Sequence, residues 1–248
     1  GSRVSQRVSR AHSNALLADM STINPIQKMV RVFQLLSASF AGADRAVGKI
    51  MEATDRAGIK DSTTFLIVGD HGFVDIHAQL SPNTWLVKAG LMEKKKDRGN
   101  WKATFHPQGG MAFLYLKDKK DQQTLKQVQQ ILADLPASTK KLFEIVKPED
   151  YQAIGADPEA ALALTAKQGF SFSDSFDEPF LKPAKGGTHG YFPNFKEIET
   201  GFIAYGADIK SDVVIPTMGL EDIAPIVAKL LGLSITNLDG VLYPSVVK

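Results

Sequence analysis

Six consecutive residues, Thr63-Thr64-Phe65-Leu66-Ile67-Val68, are apolar or β-branched, and the run stops abruptly at Gly69-Asp70-His71-Gly72. A run of that length without polar alternation predicts a strand covered on both faces. Its end carries the information. Open α/β sheets keep their active sites at the carboxyl ends of strands, and this end offers one hard oxygen and one imidazole nitrogen, a combination that suits zinc or another divalent ion. The same pair can equally do no more than bond to backbone amides at the end of a strand, and the local pattern leaves both readings open.

Around that strand the chain has the rhythm of an α/β protein. Asn24-Pro25 can start a helix, Asn24 as cap and Pro25 at the first helical position. Met29, Val32, Phe33, Leu35, Leu36 and Phe40 then return at helical spacing. A second helix is expected over 43–57, with Ala46, Val47, Ile50 and Met51 toward one face and Gly58 as its stop. Strands are expected over 83–87, 111–116 and 201–206, and an extended segment over 142–146. Helices are expected over 122–132 and 222–231, the latter ended by Gly232. Residues 91–98 read as a charged, solvated turn, and Asp157-Pro158-Glu159 as a helix start or a short lobe on the sheet. The stretch 169–190, rich in Gly, Ser, Phe, Asp and Pro, reads as a long surface connection, and ordered connections of that length are often functional.

Composition removes several function classes. The 248 residues contain no cysteine, which excludes disulfide frameworks, thiolate nucleophiles and cysteine-ligated zinc. With 29 basic against 27 acidic side chains the formal charge is +2, too balanced for nucleic acid to be the main partner. The Lys94-Lys95-Lys96 run reads as a solvated face. No apolar run approaches the ~18 residues that a spanning helix needs. Dinucleotide, P-loop, serine-hydrolase elbow and His-Glu-x-x-His motifs are all missing. Gly1-Ser2 reads as a cloning remnant, so a natural targeting segment can have been lost.

Of the five histidines, His71 and His189 sit among glycines, His189 in Gly186-Gly187-Thr188-His189-Gly190. Glycine neighbours permit tight turns and close approach of a ligand to the backbone. A hydrogen-bonded loop histidine remains the plainer reading of His189 alone. His12, His77 and His106 lack supporting context, and Asp75 and Asp239 read as turn residues.

Taken in order along the chain, these motifs resemble the type I phosphodiesterase / nucleotide pyrophosphatase branch of the alkaline phosphatase superfamily. The resemblance rests on Ala43-Asp44-Arg45-Ala46-Val47-Gly48, on Thr64 through Phe73 with its Gly-Asp-His-Gly, and on Gly187-Thr188-His189-Gly190-Tyr191. It continues through Gly201-Phe202-Ile203-Ala204-Tyr205-Gly206, Asp222-Ile223-Ala224-Pro225 and Leu231-Gly232. It implies an α/β fold, an alkaline-phosphatase-like mixed sheet flanked by helices, and two zinc ions or similar divalent ions at the sheet's carboxyl edge. By resemblance, Asp70 and His71 would ligate the ion that activates a Thr or Ser nucleophile, and His189 the ion that activates water. The implied substrates are small phosphate esters, and the implied activity is metal-dependent hydrolysis of phosphodiester or phosphoanhydride bonds.

The resemblance covers the closing part of that domain, over 43–248, with a small lobe at about 90–185; residues 1–42 read as a separate helical or adventitious segment. The family's nucleophile, its early metal-binding Asp and its Asp-x-x-x-His pair belong upstream of residue 43, where none is found: Asp19 is followed four positions on by Ile23, and Ser13, Ser21 and Thr22 stand in no nucleophile-like turn. Three explanations follow. The chain is a shortened piece of an enzyme, a relative that binds without hydrolysing, or a chain completed by an N-terminal segment from elsewhere. The missing strands imply exposed apolar surface and self-association. Export to the periplasm or secretion is implied by resemblance only.

Overall fold

The computed structural model describes residues 25–95 and 99–248. The Asn24 cap, His12, Ser13, Asp19, Ser21, Thr22 and Lys96 lie outside these residues, as do the side chains of Met29, Val32, Phe33, Leu35 and Leu36. In chain order the elements are α1 (Pro25–Arg56), β1 (Thr64–Val68), β2 (Val74–Leu80), α2 (Asn83–Lys88), β3 (Ala103–Gln108) and β4 (Met111–Leu116). They continue with α3 (Gln122–Asp134), α4 (Ala137–Lys140), β5 (Phe143–Val146), α5 (Pro148–Ala153), β6 (Leu162–Ala166), β7 (Gly169–Phe172), β8 (Leu181–Thr188), β9 (Phe202–Gly206) and α6 (Ile223–Leu230). The fold is mixed α/β. Its sheets are β1-β9, β7-β2-β8 and β3-β4-β6-β5, with β7 parallel and β8 antiparallel to β2, and the four-stranded sheet antiparallel throughout.

Contacts divide the chain into two compact units, one of residues up to Leu66 with Ala204–Lys248, the other Ile67–Ile203. The second holds the main core. Leu114 and Leu116 of β4, Leu162 and Leu164 of β6, and Val128 and Leu132 of α3 are buried together with Phe105, Phe143 and Phe172. Each such aliphatic side chain contributes roughly 1.5–3 kcal/mol by leaving water. The α3 helix starts where Asp121 accepts the Thr124 N–H at 2.9 Å, which satisfies one of the amides that a helix start leaves free. Gly109-Gly110 turns β3 into β4, a two-residue loop of the kind that glycines allow.

In the first unit Phe65 stacks on Tyr205 at 6.3 Å between ring centroids, and the Ala207 N–H donates to the Thr63 carbonyl at 3.1 Å. Asp222 ties its carboxyl-terminal part together: the buried carboxylate accepts the Gly219 and Val241 N–H groups, both at 2.7 Å, and the Tyr243 hydroxyl at 3.2 Å. The Val241 and Gly219 amides hold this carboxyl below the usual carboxylate range.

Several expectations are corrected. Residues 25–56 form one helix rather than two, because Gly42 in a helix interior costs only about 1 kcal/mol and does not break it. The strand expected over 83–87 is the helix α2: Pro82 precedes its first residue, and Asn83 turns inward to bond the Phe105 peptide with both amide atoms, at 2.9 and 2.8 Å. Leu91 and Met92, read as part of a solvated turn, are core residues: Met92 is bridged to Trp101, and the Leu91 carbonyl accepts the Lys102 N–H at 2.7 Å. Leu162–Ala166 is a strand between β4 and β5, not a helix, so sheet pairing overrides its alanine-rich composition. The supposed connection at 169–190 contains β7 and β8. Besides β6, β7 and β8, the strands β2 and β3 also had no strand expected in their place, and Asp75 lies in β2 rather than in a turn. The run at 64–68 is a strand, as expected, but not one covered on both faces: Val68 is 47% exposed.

Candidate metal centre

The site is built by the segment between β1 and β2 and by the end of β8. Beyond Val68, the Gly69 N–H donates to the Gly201 carbonyl at 3.1 Å, and a side chain at 69 would collide with the Thr200 hydroxyl. The Gly72 N–H then donates to the Ile198 carbonyl at 2.7 Å. Asp70 and His71 are thereby fixed at both flanks. The antiparallel register of β2 and β8 pairs Val74 with Thr188. Continuing that register one step places His189 opposite Phe73, and so within reach of His71.

The two imidazoles meet face to face, with ring centroids 3.9 Å apart and planes 6° from parallel. Phe73 packs obliquely on both, at 5.3 Å from His71 and 5.1 Å from His189. The His71 Nδ1 lies 3.0 Å from the Gly72 carbonyl. A carbonyl can only accept, so the proton sits on Nδ1 and Nε2 presents its lone pair. That lone pair faces another acceptor, the Asp70 Oδ2 at 3.4 Å, while Asp70 Oδ1 accepts the His71 N–H at 3.0 Å. Two acceptors facing each other call for a cation between them, a second proton or a metal ion.

The spacing is compatible with a metal ion as well as with a protonated pair. Two zinc–donor bonds of about 2.0–2.1 Å at a tetrahedral angle hold their N and O atoms about 3.3 Å apart, close to the observed 3.4 Å. Asp70 and His71 therefore suit one ion together. His189 cannot join them as it stands, since lone pairs lying in two separate parallel ring planes never intersect. This agrees with the finding that, among the described residues, no three His, Asp or Glu side chains converge on one point. The three candidates are brought together in space, but as a pair and a neighbour.

The His189 peptide is held from behind by the β3–β4 turn. The Gly110 N–H donates to the His189 carbonyl at 2.7 Å, and a β-carbon at Gly109, whose φ is +74°, would strike that carbonyl. Tyr191 anchors the far side by donating its hydroxyl to the Phe170 carbonyl, and burial pushes this phenol up to about 12. Neither Phe73 nor the turn was found by sequence reasoning. The Gly109-Gly110 pair was the available signal for the turn. The other histidines lie elsewhere: His77 is exposed on β2 with its ring edge on Phe170 at 4.6 Å, and His106 bonds the Gln108 side chain at 2.8 Å.

The profile of the type I phosphodiesterase / nucleotide pyrophosphatase family matches residues 34–192, which include Asp70, His71 and His189. The chain belongs to this family. A search of curated protein sequences returned no match. Among solved structures, human ectonucleotide pyrophosphatase / phosphodiesterase 5 superposes with a TM-score of 0.62 at 16% identity, covering 89% of this chain and 52% of that one. The murine protein gives 0.62 at 18%, with coverages of 84% and 51%. Its inactive variant in complex with AMP gives 0.60 at 17%, with coverages of 90% and 52%. At such identities these similarities establish the fold, an alkaline-phosphatase-like α/β architecture. The chain spans about half the length of the solved structures it matches.

Proposed function

We propose that the chain carries part of the metal site of a zinc-dependent hydrolase of phosphodiester or phosphoanhydride bonds. The observation that carries this reading is the facing pair of acceptors, His71 Nε2 and Asp70 Oδ2 at 3.4 Å, beside the stacked ring of His189. Asp70 and His71 would hold one ion and His189 a second, within a catalytic-domain portion formed by residues 43–248. When bound, such ions lower the pKa of a nucleophile and of water and offset charge on the phosphoryl oxygens. The protein's own contribution is orientation. The Gly72 carbonyl keeps the proton on Nδ1 of His71, Phe73 packs both rings, and the β3–β4 turn fixes the His189 peptide.

Three donors do not complete two tetrahedral sites, and among the described residues no hydroxyl stands out as the nucleophile. The chain by itself is therefore expected to turn over an activated phosphodiester little or not at all. A second reading, a binding or structural domain of the same fold without hydrolysis, draws support from the absence of three converging donors among the described residues. Exposed Val68 and Ile203 support the expectation that the strand region pairs with another segment or another copy. No helix among the described residues is long and apolar enough to cross a membrane.

Hydrolysis assays with and without chelator separate the two readings. Turnover of an activated phosphodiester that is lost on chelation and in His189→Ala, when a complementing upstream segment is supplied, supports the enzyme. Zinc binding with no turnover under that condition supports the binding domain.

A further inference from the structure

Helix α1 carries a seven-residue repeat along its whole length. With Ile26 at position a, the a and d positions through Thr54 read Ile, Met, Phe, Leu, Phe, Ala, Val, Ile and Thr. Every charged residue of the helix except Asp44 falls at b, c or f, and Leu35 is the one large apolar residue outside the seam and its e and g flanks. Thr54 fits the seam because its hydroxyl already donates to the Met51 carbonyl at 2.8 Å. Among the described side chains of α1 none is buried, and on the seam Phe40 is 74% and Ile50 59% exposed.

The period identifies what covers this seam. A helix of 3.6 residues per turn lets a strict seven-residue repeat drift by about 20° per heptad, roughly 80° over four heptads. A flat sheet would lose such a stripe, whereas a second helix follows it by supercoiling. The covering helix must also be long, because the 32 residues of α1 span about 48 Å. The next longest helix among the described residues, α3, has 13 and already packs its own apolar residues Val128 and Leu132 into the core. A helix of the required length is supplied by α1 of a second copy.

We propose that α1 pairs with α1 of a second copy of this chain as a two-stranded antiparallel coiled coil. Side-chain size sets the direction. An antiparallel pair centred between positions 41 and 42 places each a position against a d position. Phe40 then meets the partner's Ala43, Val47 meets position 36 and Ile50 meets position 33, and the two-fold axis repeats each contact. Large thus meets small at the centre, and the flanking e positions set Asp44 beside the partner's Ser37 with no like charges across the seam. Parallel pairing would instead stack Phe40 on Phe40 and Ala43 on Ala43, crowding one layer and leaving a void in the next. A strip about 48 Å long and about 10 Å wide on each copy amounts to on the order of 1,000 Å² buried, the level at which an interface is specific. The pairing involves none of Asp70, His71 and His189, so it stands or falls independently of the phosphodiesterase reading.

The test is sedimentation equilibrium of the full chain between about 1 and about 100 μM, the range in which a micromolar dimer dissociates. The expected mass rises toward twice 27.0 kDa with concentration. Phe40→Lys weakens association at least about a hundred-fold, since each dimer loses two buried rings and gains two buried charges, and Ile50→Lys does the same. Both variants keep the circular dichroism of the wild-type monomer, because the two positions are exposed in the single chain. Arg45→Ala, at an f position, leaves association unchanged. The chain has no cysteine, so a spin label on Glu52→Cys reports the direction: antiparallel pairing sets the two labels about 32 Å apart along the axis, and parallel pairing sets them side by side. A single-chain mass at every concentration overturns the proposal and leaves the seam to an occupant other than this chain. Association that survives both lysine substitutions overturns it as well, and labels found side by side overturn the antiparallel arrangement.

Discussion

His71 and His189 lie with parallel rings 3.9 Å apart, although 118 positions separate them in the chain (189 − 71). The contact is produced by strand register: Val74 pairs with Thr188, and the residues just outside that pair face one another. Parallel rings cannot share an ion, so the stack divides the three donors into a two-donor set and a lone imidazole.

The turn behind His189 sets the first prediction. Gly109→Ala places a β-carbon against the His189 carbonyl at a backbone φ of +74°. Such a position costs on the order of 1–3 kcal/mol. Urea unfolding should show a loss of that size, and zinc affinity should fall with it. An unchanged unfolding midpoint would show that the turn does not clamp the loop.

Asn83→Ala tests the correction that turned an expected strand into a helix. The substitution strips both partners from the buried Phe105 peptide, and each orphaned group costs about 1–3 kcal/mol. A destabilisation of roughly 3 kcal/mol by urea unfolding is expected. A loss below about 1 kcal/mol would mean that water replaces the amide at little cost.

Asp222 predicts an acid-side dependence. Its carboxyl is held below the ordinary range by the Val241 and Gly219 amides, so the folded state binds its proton less readily than the unfolded chain does. The resulting stability is complete above the unfolded value of about 3.9 and is lost as pH falls through the lower folded value. Thermal melts from pH 7 down to pH 2 should show this acid-side loss. Asp222→Asn should flatten the profile; an identical slope in the variant would contradict the assignment.

Two tyrosines predict the alkaline limb. Burial, with a hydrogen bond to Asp157, pushes the Tyr115 phenol up to about 12, and burial alone does the same for Tyr191. The folded state therefore favours the neutral phenol. This stability is present below about pH 10, the unfolded value, and disappears as pH rises toward 12. Ultraviolet titration should show phenols that ionise late, and Tyr115→Phe with Tyr191→Phe should shrink that late fraction, leaving the part that belongs to Tyr151 and Tyr243, which burial also pushes up.

The candidate site residues were legible as candidates because they are local: Gly69-Asp70-His71-Gly72 and Gly187-Thr188-His189-Gly190 are short strings whose glycines and metal-competent side chains need no partner to be noticed. Strands β1, β4, β5 and β9 and helices α3 and α6 were legible from apolar pattern. What escaped depends on distant pairing. Strand β2 carries Asp75, His77 and Gln79 and gains its identity from β7 and β8. The α2 segment owes its conformation to Pro82 and to the Phe105 peptide 22 positions away. The stacking of His71 on His189 follows from the β2–β8 register, which no local spacing encodes.

The most direct test is zinc stoichiometry by elemental analysis of protein purified without a metal-chelating tag, in the wild type, Asp70→Ala, His71→Ala and His189→Ala. The account predicts zinc in the wild type, with His189→Ala retaining the ion held by Asp70 and His71, and with Asp70→Ala and His71→Ala losing it. No zinc in the wild type, or equal loss of all zinc in every variant, would contradict the division of the three donors into a pair and a lone ligand.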